Sequence, residues 1–247
     1  STSDSYLQYV LWNGSRFSAF QNITLTDSAL SRFNTNMRFT KLFPQPKTDN
    51  IMLITHNGSS TGLSALFAVT WTGDNFNMAH ALMLTNFSTS DIQQHFAFGW
   101  ESVSGEGVAF YGTRGNVTIR TYSSSAGWGD ETVITRVSSS GLDQLRLCSA
   151  PDSDYIGVIF ETASGPQVNV TMWNGSQIMN NSPLADLVTV VGGSATVNIA
   201  CDWINSTTAL FTYTDLRSPT TLPNGYMNYF TFALPNNWNT TSMNDSS

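Results

Sequence analysis

Short runs rich in Val, Ile, Thr, Phe and Tyr occur throughout the chain. Clusters of Gly, Asn, Asp and Ser separate these runs, and such clusters favour turns between strands. No stretch longer than about ten residues has the apolar period of an amphipathic helix. The pattern predicts an all-β chain.

Four segments fit one template when the chain is compared with itself. "CSAPDSDYIGVIF" (148–160) and "CDWINSTTALFTY" (201–213) align without a gap, and "FPQPKTDNIMLIT" (43–55) and "WESVSGEGVAFYG" (100–112) follow the same pattern. Each segment predicts a strand, a turn and a second strand. The segments begin with Phe43, Trp100, Cys148 and Cys201, which are 48 to 57 residues apart.

A second element follows each segment, a strand that ends in an aromatic residue just before another turn. These aromatic anchors are Trp71, Tyr122, Trp173 and Phe232. A fifth anchor, Trp12 in "YVLWNGSRF" (9–17), has no first segment before it. Trp12 therefore belongs to the second half of a repeat whose first half is missing.

Four antiparallel strands repeated every 40 to 50 residues or so are typical of β-propeller blades. A lone four-stranded sheet cannot cover both of its apolar faces, whereas a ring of such sheets can. We predict a β-propeller of four full blades plus an N-terminal half-blade, as one domain over residues 1–247. A β-sandwich is the alternative, because short strands with regular turns fit both folds.

The phrases "WNGSRF", "WNGSQI" and "GWESVSGEGVAFYG" resemble those of the Trp-rich β-propeller repeat proteins that bacteria and archaea secrete or carry on the cell surface. The resemblance covers most of residues 39–239. It implies a fold and no particular activity.

The half-blade, residues 1–30, is expected to have an unpaired strand edge. Exposed edges pair with other strands unless something covers them. The segment is therefore expected either to flank the ring as a partial fifth blade or to add to the sheet of a neighbouring subunit.

Charged residues form only 11% of the chain, and the net charge is −7. An acidic chain without a basic cluster is not expected to bind nucleic acid, which requires clustered Lys and Arg. The longest apolar runs are far shorter than the roughly 20 residues of a membrane span. The chain starts without Met and without a signal segment, so we expect the mature product of a secreted precursor.

Sequons for N-glycosylation are about twice as frequent as the Ser and Thr content predicts by chance. Glycans on them would explain solubility with so little charge. The alternative is that these tripeptides simply suit turns and strands. The candidate sites are Asn13, Asn22, Asn57, Asn86, Asn116, Asn169, Asn174, Asn180, Asn205, Asn239 and Asn244.

Cys148 and Cys201 occupy the same template position in consecutive repeats. A disulfide between them would stabilise the fold by about 4 kcal/mol in the chain-entropy model. It requires Cα atoms within about 7 Å, and equivalent positions on neighbouring blades can be farther apart. The sequence leaves both the bonded and the free state open.

The sequence predicts no catalytic site, cofactor or metal. The phrase "SSSAGWGDE" (123–131) breaks the order of the sialidase turn motif, and paired carboxylates for glycoside hydrolysis are not recognisable. Asp49, Glu106 and Asp154 share a repeat position and are expected to hydrogen-bond their own turns. His56, His80 and His95 lack the spacing of metal ligands.

These features predict a structural subunit of a heavily N-glycosylated extracellular filament or surface layer. Its partners would be copies of itself, joined by β-strand contacts, and covalent N-glycans. The alternative is a secreted carbohydrate-binding β-propeller lectin or adhesin. Both place the protein outside the cell or on its surface.

Overall fold

The computed structural model describes ten stretches of the chain. They are residues 7–23, 37–58, 64–87, 95–113, 115–136, 142–162, 168–179, 198–215, 226–235 and 237–241. The sequons at Asn180 and Asn244 lie outside the described residues, as do residues 1–6 and 24–30 of the predicted half-blade. The chain divides into two compact units, Ser1–Ile92 and Gln93–Ser247, which we describe separately.

The described residues form β-strands joined by turns, and every paired strand is antiparallel to its neighbour. None of them forms a helix long and apolar enough to span a membrane. The prediction of an all-β chain is confirmed.

The first compact unit contains two sheets. The N-terminal sheet has two short strands, β1 (Gln8–Tyr9) and β2 (Gln21–Asn22). The first large sheet follows the chain order β3 (Met37–Pro44), β4 (Asn50–Gly58), β5 (Ser64–Thr72) and β6 (Phe76–Phe87).

The second compact unit contains three sheets, which we call the second, third and fourth sheets. The second sheet consists of β7 (Phe96–Trp100), β8 (Gly107–Thr113), β9 (Asn116–Ser123), β10 (Gly127–Trp128) and β11 (Thr132–Arg136), the last two both paired with β9. The described part of the third sheet consists of β12 (Leu142–Ser149), β13 (Ile156–Thr162) and β14 (Val168–Trp173). The fourth sheet consists of β15 (Ile199–Asn205), β16 (Thr208–Asp215), β17 (Tyr226–Ala233) and β18 (Asn237–Thr241).

The four aromatic anchors occupy the same position in their four sheets. Each pairs with the first or second residue of the strand that follows the first turn of its sheet, in the pairs Trp71–Ile51, Tyr122–Gly107, Trp173–Ile156 and Phe232–Ala209. On its other side each pairs across the next turn, in the pairs Trp71–Phe76, Tyr122–Trp128, Trp173–Ile178 and Phe232–Trp238. The sequence repeat is therefore a repeat of strand register.

Each strand of the third sheet sends alternate side chains to opposite faces, and both faces are buried. Val158 and Phe160 pack in a cluster with residues of the second sheet such as Phe110. Ile159 and Val170 pack in another cluster with residues of the fourth sheet. Two apolar layers thus hold the second, third and fourth sheets face to face, which is how consecutive sheets cover surfaces that a single sheet cannot.

A disulfide joins Cys148 of the third sheet to Cys201 of the fourth, with the Cα atoms 5.8 Å apart. The two cysteines are not equivalent in register, contrary to the gap-free sequence alignment. Cys148 pairs with Gly157, one residue after Ile156, whereas Cys201 pairs with Phe211, two residues after Ala209. A bulge in β15 after Trp203 accompanies this difference.

The shift of one residue is what allows the bond. Neighbouring positions of a strand point to opposite faces, so Cys148 faces the fourth sheet while Cys201 faces the third. Cysteines in identical register would both point toward the same end of the stack of sheets, so their sulfur atoms could not meet. Gly157 completes the site, because a Cβ there would lie 2.8 Å from the Cys148 sulfur and 2.7 Å from the Phe211 ring.

Polar contacts fasten the first turn of the second sheet to the third sheet. The Trp173 indole N–H donates to Glu101 Oε1 at 2.7 Å, and Ser104 Oγ donates to Glu101 Oε2 at 2.5 Å. The backbone N–H groups of Val103 and Ser104 both donate to Asp154 Oδ1 at 2.9 Å. Burial raises the pKa of Glu101 above its usual range, and the hydrogen bonds from Ser104 and Trp173 partly oppose this rise.

Removal of the disulfide is expected to lower the free energy of unfolding by about 4 kcal/mol, since the bond closes a long loop in the unfolded chain. The measurement is urea unfolding of Cys148→Ala/Cys201→Ala beside the wild type with and without a reductant. The reduced wild type should unfold at nearly the same urea concentration as the double variant. Identical unfolding of oxidised and reduced wild type would contradict a stabilising bond.

Glu101 gives a pH-dependent prediction. Because the pKa of its carboxyl in the folded protein is above the ordinary 4.5, folding favours the protonated form. Its contribution to the free energy of unfolding is therefore largest below pH 4.5 and falls as the pH rises through the raised pKa. Glu101→Gln keeps an acceptor for the Trp173 indole N–H but does not titrate. We expect the stability of this variant, relative to the wild type, to rise as the pH increases from 4.5 through the raised pKa of the Glu101 carboxyl.

The control is Glu101→Ala, which does not titrate either, so its stability relative to the wild type should change with pH in the same way, while loss of the acceptor should keep it about 2 kcal/mol below the Gln variant at every pH. Other groups that titrate in this range are present in the variants and the wild type, so their effects cancel in the comparison. A constant difference between the Gln variant and the wild type across this range would show that Glu101 has no raised pKa.

Candidate functional site

The N-terminal segment contains a fifth copy of the anchor turn. Trp12 forms an antiparallel bridge with Phe17, as Trp173 does with Ile178. In both copies the backbone N–H of the Asn donates to the carbonyl three residues later, and the Gly has a positive φ, 93° in the first copy and 89° in the second. We call residues 9–18 the Trp12 hairpin and residues 170–179 the Trp173 hairpin.

Asparagine side chains stabilise both turns in the same way. Asn13 Oδ1 accepts hydrogen bonds from the backbone N–H groups of Ser15 and Arg16 and from the Ser15 hydroxyl. Asn174 Oδ1 accepts the corresponding three bonds from Ser176 and Gln177. The phrase W-N-G-S therefore encodes one local structure in two places, because a positive φ suits Gly and an Asx turn suits Asn.

The surroundings of the two hairpins differ. The Trp173 ring is 2% exposed and packs against the second sheet, which precedes it in the chain. The Trp12 ring is 57% exposed. The same local structure thus occurs once with its aromatic face covered and once with that face open to solvent.

The open face belongs to a larger apolar patch. Nine large hydrophobic side chains are exposed among the described residues, and five of them lie within the short segment 10–20. The Trp12 and Phe17 rings contact each other, with centroids 4.9 Å apart. A concentrated apolar surface of this kind marks a site of interaction with another molecule. The five residues are Val10, Leu11, Trp12, Phe17 and Phe20.

The opposite side of the hairpin packs on the first large sheet, which consists of β3 to β6. The Tyr9 ring contacts Trp71 and Phe76, with centroids 5.5 and 5.2 Å apart. Val170 lies three residues before Trp173 and packs on the sheet that follows it, as Tyr9 lies three residues before Trp12 and packs on the sheet that follows. The Trp12 hairpin thus packs on the sheet that follows it as the Trp173 hairpin does, and its other side is exposed.

The predicted glycosylation sites fall into two groups among those with described side chains. Asn57 and Asn169 are buried, whereas Asn13, Asn22 and Asn205 are exposed and Asn116 and Asn174 are partly exposed. The Asn205 side chain accepts bonds from the N–H and the hydroxyl of Thr207. In the turns at Asn13, Asn174 and Asn205 the sequon hydroxyl therefore bonds the carboxamide oxygen. Asn86 and Asn239 lie in strands β6 and β18.

The acidic turn residues do not converge on one point. Among the described residues, no group of three His, Cys, Asp or Glu side chains could hold a metal ion. The expectation that the acids hydrogen-bond their own turns is wrong for Asp154, whose carboxylate accepts from the turn of the second sheet. His56 and His95 are buried, and burial lowers the pKa of His95 to about 4. A buried neutral imidazole of this kind is unsuited to binding an anion.

Sequence reasoning missed two residues that position this region. The sequence does not distinguish Glu101 from the other acids, although Glu101 accepts the Trp173 indole N–H. The sequence pattern indicates for Tyr9 only a place in a predicted strand. The signal that could have found Tyr9 is its spacing of three from Trp12, the same as that of Val170 from Trp173.

No protein-family model matches the chain, and no curated protein matches its sequence. Its structure is similar to that of a protein of unknown function from Dyadobacter fermentans, with 11% identity, 77% of this chain and 50% of that chain covered, and a TM-score of 0.44. It is similar to a structure described as TolB from Agrobacterium tumefaciens, with 13% identity, 76% and 60% covered, and a TM-score of 0.36. The β-propeller domain of the Trilobed protease from Pyrococcus furiosus gives 10% identity, 84% and 56% covered, and a TM-score of 0.36. The chain spans 50% to 60% of the length of these three chains.

Proposed function

We propose that the protein is the structural subunit of a heavily N-glycosylated extracellular filament or surface layer, which copies of the chain build through contacts of their β-sheets. The observation that carries this proposal is the exposed aromatic face of the Trp12 hairpin. In this proposal the four large sheets are blades of a propeller and residues 1–30 are a half-blade.

The hairpin has the properties of an assembly surface. Its apolar side chains are concentrated in one short segment, whereas scattered exposed hydrophobics need no explanation. The strands β1 and β2 that flank it are only two residues long, so this segment offers side chains and a strand edge rather than a stable sheet of its own. Trp and Phe are the residues that contribute most to the energy of protein interfaces.

The propeller arrangement is supported by the order of the strands. Each large sheet is built from consecutive strands of the chain, and the anchors recur at one register position in all four. Blades of a propeller are consecutive meanders of this kind, whereas the two sheets of a sandwich exchange strands through Greek-key connections.

An extracellular location is supported by the disulfide and by the composition. Disulfides persist in oxidising compartments outside the cytosol. With only 11% charged residues, less than half of the usual share of about 25%, the surface needs another source of hydration. N-linked sugars on the exposed sequons would supply it.

The second candidate function is a carbohydrate-binding lectin or adhesin. The exposed Trp12, Phe17 and Phe20 rings favour it, since exposed apolar patches also mark ligand-binding surfaces. A lectin of this kind would bind glycans as a monomer, whereas a filament subunit would polymerise.

The variant Trp12→Ala is expected to abolish assembly, because it removes the largest exposed ring of the hairpin without touching a buried residue. The measurement is sedimentation velocity together with negative-stain imaging of the purified protein. The control is Leu42→Ala, which removes another exposed side chain, on β3. Polymers that persist in the Trp12 variant would contradict the proposal, and loss of glycan-array binding by a protein that stays monomeric would favour the lectin.

Peptide-level mass spectrometry is expected to find glycans on Asn13, Asn174 and Asn205 but not on Asn57 and Asn169. The side-chain nitrogens of the first three lie in turns at the surface, whereas a sugar on either of the last two would have to enter the core. Modification of Asn57 or Asn169 in the folded protein, or a chain bare at all three turn sites, would contradict this assignment.

A further inference from the structure

Anchors cover the first turns of the second and third sheets. In every large sheet the anchor pairs with a residue of the second strand, which in turn pairs with a residue of the first strand. The residues that follow these first-strand positions are Gln45, Glu101, Ala150 and Ile204. The first three begin the first turn, whereas Ile204 lies at the bulge near the end of β15. The backbone N–H groups of the first three all close their turns by donating to the carbonyl five residues later.

Only one of these four equivalent residues is exposed. Gln45, Glu101 and Ala150 are at most 9% exposed, whereas Ile204 is 59% exposed. Ile204 lies on the side of β15 that faces away from the third sheet, together with the exposed Asp202. Within the second compact unit, the residue at this register position is therefore exposed only in the fourth sheet, where it lies at the bulge beside the first turn.

The second compact unit shows what covers such a turn. Glu101 receives the indole N–H of Trp173, the anchor of the following sheet. In the next pair of sheets, the Phe232 anchor contacts the ring of Tyr155, which closes the first turn of the third sheet, with centroids 6.4 Å apart. In both pairs the anchor of one sheet covers the first turn of the sheet before it.

The exposed anchor and the exposed turn are thus the two halves of one missing contact. Trp12 has the position and the cross-strand partner of an anchor without a turn beneath it. Ile204 has the register position of Glu101, beside the first turn of its sheet, and is exposed instead of covered by an anchor. We propose that the Trp12 hairpin of one copy of the chain docks on the first turn of the fourth sheet of a second copy, around Ile204, in the way that the Trp173 hairpin covers Glu101. This inference rests on the proposed function and names the partner surface of the assembly.

The chemistry of the two surfaces is complementary. An exposed Ile replaces the carboxylate of Glu101, so the receiving turn offers an apolar side chain to the Trp12 and Phe17 rings. Arg16 is exposed beside those rings and Asp202 is exposed near Ile204, which adds a pair of opposite charges at the rim. Because the two surfaces differ, a pair of joined chains still has one free Trp12 hairpin and one free surface around Ile204. Further chains bind there, so the contact propagates head to tail.

The proposed contact leaves room for glycans near it. In the covered turn of the second sheet, Val103 at the tip is still 69% exposed. In the covered Trp173 hairpin, Ser176 and Gln177 at the tip are exposed. Asn13 and Asn205 correspond by position to Asn174 and Ser102, which stay partly exposed in these covered elements, so sugars on Asn13 and Asn205 would lie at the rim of such a contact.

The test is photo-crosslinking of the full chain with p-benzoylphenylalanine in place of Phe17. Copies labelled with ¹⁴N and ¹⁵N are mixed before assembly, and the joined peptides are identified by mass spectrometry. We expect mixed-isotope crosslinks to the segment 202–209. The control is the same probe in place of Val103, an exposed side chain at a turn tip, which should not crosslink to that segment.

Two results would overturn the inference while the proposed function stands. In the first, polymers form but their crosslinks join copies at a segment other than 202–209. In the second, polymers form but the crosslinks to 202–209 stay within one copy. A chain that never assembles would overturn both the inference and the proposed function. As a second measurement, Ile204→Ser is expected to raise the concentration for half-assembly at least about tenfold, as loss of an interface hot spot does, whereas Val103→Ser should leave it unchanged. An unchanged value for Ile204→Ser would also overturn the inference.

Discussion

The structure depends on one packing relation, in which a bulky aromatic side chain at the end of a strand covers the first turn of the sheet before it. A meander of three or four strands has two apolar faces and can bury neither alone. The anchor is placed at the edge of the sheet, where the turn of the neighbouring sheet would otherwise be open to water. Because Trp173 and Phe232 both act in this way, the stability of each sheet in the second compact unit is tied to the next.

The relation explains why the sequence reveals the repeat but not its exceptions. Anchors and turns are local signals, since an aromatic residue before N-G or a similar turn keeps its register whatever surrounds it. The anchors Trp12, Trp71, Tyr122, Trp173 and Phe232 could therefore be placed from the sequence. The disulfide geometry could not, because it depends on a bulge after Trp203 that moves Cys201 to the other face of its strand. A gap-free alignment has no means of showing a bulge.

The hydrogen-bond partners of buried polar groups could not be predicted from the sequence either. Asp154 looks like an acid in its own turn, and only the stacking of the second and third sheets brings it to the N–H groups of Val103 and Ser104. Glu101 is likewise defined by a residue far along the chain. Sequons present the same difficulty, since Asn13 and Asn169 share a motif although one is exposed and the other is buried. The burial of a side chain depends on how the sheets pack, and the three residues of a sequon do not determine it.

The repeat of similar sheets leaves two different surfaces exposed, and a head-to-tail assembly would follow from their difference. In the second compact unit the anchors of the third and fourth sheets cover the turns before them, which leaves the region around Ile204 exposed, and in the first compact unit Trp12 is an exposed anchor. Two Trp12 hairpins could not satisfy each other, because each would bring a ring and neither would bring a turn. A two-fold dimer through this surface is therefore disfavoured, since an isologous contact needs a self-complementary patch. The Trp12 hairpin and the region around Ile204 complement each other. When they lie on different copies, every added copy still has one free surface, to which a further copy binds.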